Sequence, residues 1–291
     1  MTDSPLPFFA PTLDPGPSFL DLLRRVQPEA LPGAGLDLGL AGGMRAAGMR
    51  ADGLRAGGAY DGLEIPHATT VVAVRFGAGV VMAGDRRATA GYSIAGRRME
   101  KVQPADDYSG VAIAGSAGPA IDMIRLFQTQ LEHYEKVQGA QLSLEGKANQ
   151  LAQMVRANLP AAMQGFVVVP IFAGFDQRRG RGRVFTYDAT GGRYEELDFA
   201  TTGSGSIHAR NWIKSGWRDD LDADAAVGLA IRSLFAAADE DVATGGPDLV
   251  RRIFPTVAVI DADGYRGLPD DDVETLSQAL LGGPERGGDA S

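Results

Sequence analysis

The feature that most constrains the fold is an abrupt change in the character of the sequence at Thr69. Residues 31–63 carry ten glycines in 33 positions and show neither a two-residue nor a 3.6-residue hydrophobic period. A segment of this composition buries too little apolar surface to offset its conformational entropy, so we expect it to be largely disordered. From Thr69 onward, runs of β-branched and apolar residues begin at once. The sequence therefore predicts two unlike parts, residues 1–68 and residues 69–291.

The first part contains one stretch with a helical pattern. Ser18 precedes Phe-Leu-Asp-Leu-Leu-Arg-Arg-Val-Gln, which has the apolar spacing of a short amphipathic helix with Ser18 as its N-cap. Such a helix could dock on another surface, but the same residues also suit a plain flexible tail. The pattern leaves both interpretations open.

The second part groups its strands and helices in blocks. A hairpin is predicted at 69–76 and 80–85, followed by strands at 111–115, 166–175, 183–188, 193–199 and 256–261. Helices are predicted at 119–138, from the Ser143 cap to about 164, and at 206–215, 223–239 and 270–281. Because strands and helices do not alternate as βαβ units, the order predicts an α+β fold. We expect a four-layer αββα sandwich of two antiparallel sheets flanked by helix pairs.

Composition excludes several kinds of chemistry. The chain has no cysteine, so disulfides, thiolate metal sites and cysteine nucleophiles are excluded. A net charge of −9 disfavours nucleic-acid binding, and no apolar run is long enough to cross a membrane. Without a signal-peptide pattern at its start, we expect the chain in the cytoplasm. The three histidines, His67, His133 and His208, offer few places for histidine catalysis or metal binding.

A threonine at the start of a strand can carry out chemistry once its amine is free. Its hydroxyl attacks while its own α-amino group, with an ordinary pKa of about 7.7 to 8.0, accepts the proton. The predicted hairpin brings Asp85 back beside Thr69, and Lys101 follows one loop later. A lysine held there by a buried aspartate would lower the pKa of the hydroxyl and keep the amine neutral. Gly115, at the end of a predicted strand, could offer its N–H to an oxyanion.

Several motifs of this chain match one family in order along the sequence. From Thr69 to about Leu281, the chain resembles the β subunit of the 20S proteasome. That subunit is an N-terminal nucleophile hydrolase of the threonine peptidase type. The matching motifs are Thr69-Thr70, Gly84-Asp-Arg-Arg, Lys101-Val, Ala114-Gly-Ser-Ala-Gly, Gly203-Ser-Gly-Ser and Asp241-Val-Ala-Thr-Gly-Gly. Leu131-Glu-His-Tyr-Glu-Lys and Thr244-Gly-Gly-Pro-Asp-Leu-Val-Arg are similar to its actinobacterial branch.

The resemblance implies a role for each matching residue. Thr69 would be the nucleophile, Asp85 and Lys101 its electrostatic support, and Gly115 the oxyanion donor. Ser204, Asp241 and Thr244 would surround the amine, and Arg87 would be a supporting charge. An apolar substrate pocket would be formed by Ala88, Met99, Ile113 and Ala117. Thr244 stands where many relatives have serine and keeps the hydroxyl. Val242 departs from the Asp-Ser-Ala-Ser pattern of some members, which removes one side-chain hydrogen bond.

The resemblance also accounts for the first part of the chain. Residues 1–68 look like a propeptide that is removed when Thr69 attacks the carbonyl of Ala68, leaving residues 69–291 as the mature domain. The implied partners are homo-oligomeric β rings, α-subunit rings, a regulatory ATPase ring and protein substrates, without nucleic acid or membrane. Peptide hydrolysis of this type requires no cofactor and no metal.

Three other interpretations compete with this one. Ala114-Gly-Ser116-Ala-Gly118 nearly matches the nucleophile elbow of an α/β-hydrolase, with His208 as a possible base. That fold requires βαβ alternation, which the order of elements disfavours. A peptidase of the HslV type shares the Thr-Thr start but typically has Gly-Asp-Gly-Gln where this chain has Gly-Asp-Arg-Arg. A non-catalytic ring subunit would not be expected to keep Thr69, Asp85 and Lys101 together.

Overall fold

A computed structural model of the chain describes residues 69–90 and 93–282. The predicted propeptide, with its glycine-rich segment, the pattern after Ser18, and Ala68, lies outside the described residues, as do the residues after 282.

The described residues form twelve strands. In chain order they are β1 (Thr70–Phe76), β2 (Gly79–Gly84), β3 (Ala88–Ala90), β4 (Ser93–Gly96), β5 (Val102–Asp106), β6 (Ser109–Gly115), β7 (Val168–Asp176), β8 (Arg181–Tyr187), β9 (Arg193–Glu196), β10 (Phe199–Gly203), β11 (Thr256–Asp261) and β12 (Gly264–Gly267). One five-stranded sheet has the order β10-β1-β2-β11-β12, the other has the order β5-β6-β7-β8-β9, and β3 pairs with β4. The pairings are antiparallel.

Six helices accompany these strands in the described part. They are α1 (Ala117–Gln138), α2 (Leu144–Ala157), α3 (Leu159–Ala162), α4 (Ser206–Gly216), α5 (Ala223–Glu240) and α6 (Asp270–Leu281). The predicted cap of α2 is confirmed, because the Ser143 hydroxyl accepts the N–H of Gly146 at 3.1 Å. Asp222 caps α5 in the same way, accepting the N–H of Ala225 at 2.8 Å. Across the residues described, each helix is too short or too polar to cross a bilayer.

Strand β1 is buried on both faces because its side chains alternate between two cores. Val72 and Val74 pack with α4 and α5 on the outside of the first sheet. Val71 and Ala73 pack between the two sheets, against residues of the second sheet that include Ala112, Ile171, Ala173 and Val184. The unbroken apolar run at the start of the second part thus reflects a central strand covered on both sides.

The second sheet is covered on its outer face by α1 and α2. Phe127 of α1 meets Phe172 of β7 edge to face with ring centroids 5.8 Å apart, and Phe172 stacks on Phe185 of β8. Leu151 of α2 joins this cluster and is fully buried. Helix pairs therefore lie outside both sheets, which confirms the predicted four-layer αββα sandwich.

The prediction of one strand at 193–199 is wrong. The chain forms β9 in the second sheet, leaves it at Leu197, and enters the first sheet as β10. The Asp198 carbonyl already accepts the N–H of Arg75 at 2.9 Å, so the change of sheet takes two residues. The β propensity is continuous across this stretch, so it could not reveal that β9 and β10 pair with strands of different sheets.

The predicted extension of the second helix to about residue 164 is also wrong. Helix α2 ends at Ala157, and the four-residue α3 follows Asn158. Pro160 lacks the N–H that would continue the helix, so it occupies the first turn of a new one. Within α1, Met123 and Phe127 are buried, whereas Tyr134 is 39% exposed. The short strands β3, β4 and β5 were not predicted.

Candidate active site

The site lies where β1 begins and β2 ends. Strand β1 pairs with β2 so that Val71 faces Gly84, which places Asp85 opposite Thr70. The Asp85 N–H donates to the Thr70 carbonyl at 3.1 Å, and the Thr70 N–H donates to the Asp85 carboxylate at 2.8 Å. The predicted return of Asp85 to the start of the first strand is confirmed.

The carboxylate of Asp85 is buried and fully engaged. Its Oδ1 accepts the N–H of Thr70 and the ammonium of Lys101, whose Nζ is 2.7 Å away. Its Oδ2 accepts the N–H groups of Arg87 and Gly245, each at 2.9 Å. Neither the Asp85 nor the Lys101 side chain is exposed to solvent. A buried ion pair requires such additional hydrogen bonds to offset the cost of removing both charges from water.

The ammonium of Lys101 has a pKa below the ordinary value for lysine. Burial is the main cause, since a charged amine is costly in a poorly solvated site. The charge and hydrogen bond of Asp85 act in the opposite direction, and the nearby guanidinium of Arg87 lowers the pKa further. Lys101 therefore releases a proton more readily than a surface lysine while staying bound to Asp85.

Thr69 is held through its main chain by the turn after β10. It is 3% exposed, and its carbonyl accepts the N–H of Ser204 at 2.9 Å. Gly203, the residue before Ser204, has φ +105°, and a Cβ there would lie 1.8 Å from the Thr69 carbonyl oxygen. Only glycine permits this close approach. The position of Thr69 thus depends on Gly203, which lies 134 residues further along the chain.

Two carboxylate clusters make up the site: the Asp85 cluster described above, and a second one centred on Asp241. Oδ2 of Asp241 accepts the hydroxyls of Ser204 at 2.5 Å and Thr244 at 2.6 Å, and its Oδ1 accepts the N–H of Ala243 at 3.1 Å. Burial alone would raise the pKa of the Asp241 carboxyl, but these hydrogen bonds outweigh it and hold that pKa below its ordinary value. The structure brings together Ser204, Asp241 and Thr244, as the resemblance implied.

Arg87 contacts the Asp85 carboxylate through its N–H, and Gly115 is fixed separately at the end of β6. Gly115 ends β6 with φ +117°, where a Cβ would lie 2.1 Å from the Val167 carbonyl oxygen. Arg87 donates through Nη1 to the Val242 carbonyl at 2.8 Å. The Val242 side chain is 90% exposed, so the arrangement uses its carbonyl and not its side chain. The departure at Val242 therefore leaves the Asp241 cluster intact.

The four predicted pocket residues differ in burial. Ala88, Met99 and Ala117 are partly exposed, whereas Ile113 is 4% exposed and packs in the core under α1. Their assignment as a substrate pocket stays a prediction.

Sequence reasoning missed three residues that complete the site. Thr70 links the two carboxylate clusters, since its N–H binds Asp85 and its hydroxyl lies 2.6 Å from that of Thr244. Gly205 donates its N–H to the Thr70 hydroxyl at 3.0 Å, and Gly245 donates to Asp85. The available signal was the second threonine of the Thr-Thr pair, a hydroxyl at a position that the apolar pattern places in the core.

The α/β-hydrolase interpretation is wrong, because both sheets are antiparallel and no βαβ unit occurs among the described residues. Ser116 stands at the N-cap position of α1, where its side chain makes no capping hydrogen bond, and it is 1% exposed, which is not the exposed position that a nucleophile elbow requires. Over the same residues, no cluster of histidine and acidic side chains has an arrangement that could hold a metal ion.

The comparisons with known proteins agree on one family. Residues 65–250 match the family model described as "Proteasome subunit". The chain is 54% identical over 275 residues to "Proteasome subunit beta" of Acidimicrobium ferrooxidans, an alignment covering 94% of this chain and 93% of that protein. It is 52% identical over 270 residues to the protein of the same description from Streptomyces griseus, covering 92% and 89% of the two chains. The corresponding protein of Acidothermus cellulolyticus is 52% identical over 281 residues, with 95% and 89% covered.

Proposed function

The chain belongs to the proteasome subunit family, and on this premise we propose which of its residues carry out proteolysis and how they become active. It is a proteasome β subunit, the catalytic subunit of the 20S core particle, and a threonine-type endopeptidase. The proposal is that Thr69 is the nucleophile, that residues 1–68 are a propeptide, and that cleavage between Ala68 and Thr69 generates the active amine.

The observation that carries the proposal is the buried Asp85–Lys101 pair, because it is bound directly to the main chain next to Thr69. Asp85 accepts the N–H of Thr70, and Lys101 lies 2.7 Å from the same carboxylate oxygen. A buried charge pair costs free energy unless it is well compensated, so such a pair beside a strand terminus indicates a functional site. It supplies a positive charge where the hydroxyl of Thr69 must lose its proton.

Maturation follows from the position of the scissile bond. The Thr69 hydroxyl attacks the Ala68 carbonyl carbon, the bond from that carbon to the Thr69 nitrogen breaks, and the nitrogen takes up the hydroxyl proton. This leaves an ester between Ala68 and the Thr69 oxygen. Water hydrolyses the ester, releasing the Ala68 carboxylate and regenerating the hydroxyl. The freed amine is then the base for later reactions.

Substrate hydrolysis repeats this chemistry on another chain. The Thr69 amine accepts the hydroxyl proton as the oxygen attacks the substrate carbonyl, and the Gly115 N–H stabilises the oxyanion. The amine returns the proton to the departing substrate nitrogen, leaving an acyl ester on Thr69. A water molecule, deprotonated by the same amine, then releases the acid product. Asp85, Lys101, Ser204, Asp241 and Thr244 hold the charges around these steps, with Arg87 as a further positive charge.

As a proteasome β subunit, the chain assembles with further β subunits and with α subunits in the rings of the core particle. We extend the proposal to a regulatory ATPase ring that delivers unfolded or tagged protein substrates, to a location in the cytoplasm, and to hydrolysis without a cofactor. Enclosure by rings suits a nucleophile that is blocked until assembly, since an uncontrolled peptidase would damage the cell.

The test is co-expression of the full chain with its α subunit, followed by intact mass measurement and peptide hydrolysis. The wild-type chain should yield a product beginning at Thr69, and Thr69→Ala should stay uncut and inactive. Thr275→Ala, an exposed threonine of α6, serves as a matched control and should be processed and active. A Thr69→Ala chain that is cleaved at residue 68 and still hydrolyses peptides would overturn the proposal.

A further inference from the structure

Thr70 occupies an unusual position for a polar side chain, at the junction of the two carboxylate clusters. It is fully buried, and its hydroxyl oxygen lies 2.6 Å from the hydroxyl oxygen of Thr244. The same oxygen accepts the N–H of Gly205 at 3.0 Å. Its backbone N–H donates to Asp85, so one residue contacts both clusters. Because it has no exposed surface, its hydroxyl cannot touch a substrate.

Counting protons determines the direction of the hydrogen bonds. Each threonine hydroxyl carries one proton. The Thr244 hydroxyl donates its proton to Asp241 at 2.6 Å, because the carboxylate can only accept. In the contact between the two threonines, Thr70 must therefore be the donor. The Thr70 oxygen in turn accepts from Gly205, which gives a one-way chain from Gly205 through Thr70 and Thr244 to Asp241.

This chain of hydrogen bonds ends on the same oxygen of the Asp241 carboxylate that Ser204 binds. The carboxylate oxygen Oδ2 receives the hydroxyls of both Ser204 and Thr244. Ser204 also donates its N–H to the Thr69 carbonyl at 2.9 Å, and the next residue, Gly205, donates to the Thr70 hydroxyl. Two successive N–H groups of one turn thus bind Thr69, which precedes β1, and Thr70, which begins it.

We propose that Thr70 is a positioning residue for the proteolytic reaction, acting through Thr244 to orient the Asp241 carboxylate beside the amine of Thr69. The inference rests on the function proposed above and deepens it. Loss of the Thr70 hydroxyl would leave the Thr244 oxygen without its donor and the buried Gly205 N–H without its acceptor. The Thr244 hydroxyl could then turn away from Asp241. The Asp241 carboxylate would hold the Thr69 amine, the base of the reaction, less firmly, and substrate binding would be unchanged.

Thr70→Val tests this inference because it removes the hydroxyl and keeps the branched shape. The variants are made in the full chain, assembled with the α subunit, and their rates are divided by the fraction of β subunits that begin at Thr69, measured by intact mass. For Thr70→Val we expect kcat to fall about tenfold, the size of one lost hydrogen bond, with KM changed by less than about twofold. Thr70→Ser should restore most of kcat.

A second set of variants tests whether Thr70 acts through Thr244. Thr244→Val alone should lower kcat, and the Thr70→Val/Thr244→Val double variant should be no slower than Thr244→Val, because both changes break the same chain. Thr256→Val is the matched control. Thr256 lies on β11 and its buried hydroxyl has no hydrogen-bond partner in the described part of the chain, so kcat should equal that of the wild type.

The outcomes separate the two proposals. If wild-type particles do not begin at Thr69 or do not hydrolyse peptides, the proposed function fails. If wild-type particles are active but normalised Thr70→Val particles keep the wild-type kcat, or if the two valine substitutions act additively, the positioning role of Thr70 is wrong. A merely structural role would reduce the yield of assembled particles and leave the normalised kcat unchanged.

Discussion

Oδ1 of Asp85 lies 2.7 Å from Nζ of Lys101, and both side chains are completely shielded from solvent. The carboxylate also receives main-chain N–H groups from Thr70, Arg87 and Gly245. Three separate segments therefore converge on one buried charge, and removing either partner of the pair would leave the other uncompensated.

Lys101→Met keeps the length of the side chain and removes its charge. We expect loss of peptide hydrolysis and a decrease of about 3–5 kcal/mol in the free energy of unfolding, since Asp85 stays buried without its cation. Lys136→Met is the control. Its ion pair with Glu132 on α1 is largely exposed and should contribute less than about 1 kcal/mol. Urea unfolding of the full chain measures both. Equal effects of the two substitutions would contradict the argument.

Gly203→Ala should displace the nucleophile without touching its side chain. A Cβ at this position lies 1.8 Å from the Thr69 carbonyl oxygen, and φ is +105°, so the strand end must shift. We expect peptide hydrolysis to fall below detection and stability to drop by roughly 1–3 kcal/mol. Gly267→Ala, where an added Cβ meets no atom within 4 Å, should leave hydrolysis intact. An active Gly203→Ala particle would show that this close approach is dispensable.

Asp241 should contribute a pH-dependent part of the stability. Its carboxyl has a lowered pKa in the folded chain, so its contribution is complete above the unfolded value of about 3.9 and is lost as the pH falls through the lower folded value. The stability difference between the wild type and Asp241→Asn should therefore shrink between pH 6 and pH 3. Urea unfolding at several pH values measures it, with Asp263→Asn on the exposed β11–β12 turn as the control. A difference that grows at low pH would contradict the sign.

The substrate pocket implied for Ala88, Met99, Ile113 and Ala117 carries no fixed charge, so we expect faster cleavage after leucine or tyrosine than after arginine or aspartate. Fluorogenic peptides that differ only at this residue measure the preference. Met99→Glu adds a negative charge at a partly exposed position and should raise the relative rate after arginine. Met163→Glu, at a position that is 81% exposed, is the control and should leave the preference unchanged. Faster cleavage after arginine or aspartate by the wild type would overturn the pocket assignment.

Local sequence signals predicted the parts of the fold that depend on neighbouring residues. The hairpin of β1 and β2 and the cap of α2 at Ser143 follow from turn and capping preferences that act over a few positions. The same hairpin placed Asp85 beside Thr70, so the first carboxylate cluster was accessible from the sequence. The predicted end of α2 is wrong because Pro160 begins a new helical turn, which the apolar spacing does not reveal.

Interactions between distant segments had to come from the tertiary structure. The continuous β pattern near Leu197 does not say that β9 and β10 enter different sheets, because each strand is stabilised by partners elsewhere in the chain. Thr70 and Thr244 are 174 residues apart, and their contact depends on how α5 and the following loop pack on the first sheet. A periodicity that marks Thr70 as buried cannot say which hydroxyl it meets.

The sequence by itself determined the chemical groups of this protein: a threonine at the start of a central strand, two aspartates, a lysine, and glycines where the main chain must approach closely. Its apolar runs and helical patterns, grouped in blocks, also determined most of the strands and helices and the four layers that they form. The tertiary structure alone decided which group binds which, that Asp85 holds Lys101 while Asp241 holds Ser204 and Thr244, and that Thr70 joins the two. The physical reason is that hydrogen bonds are directional and short-ranged, so their partners depend on the packing of whole sheets and helices.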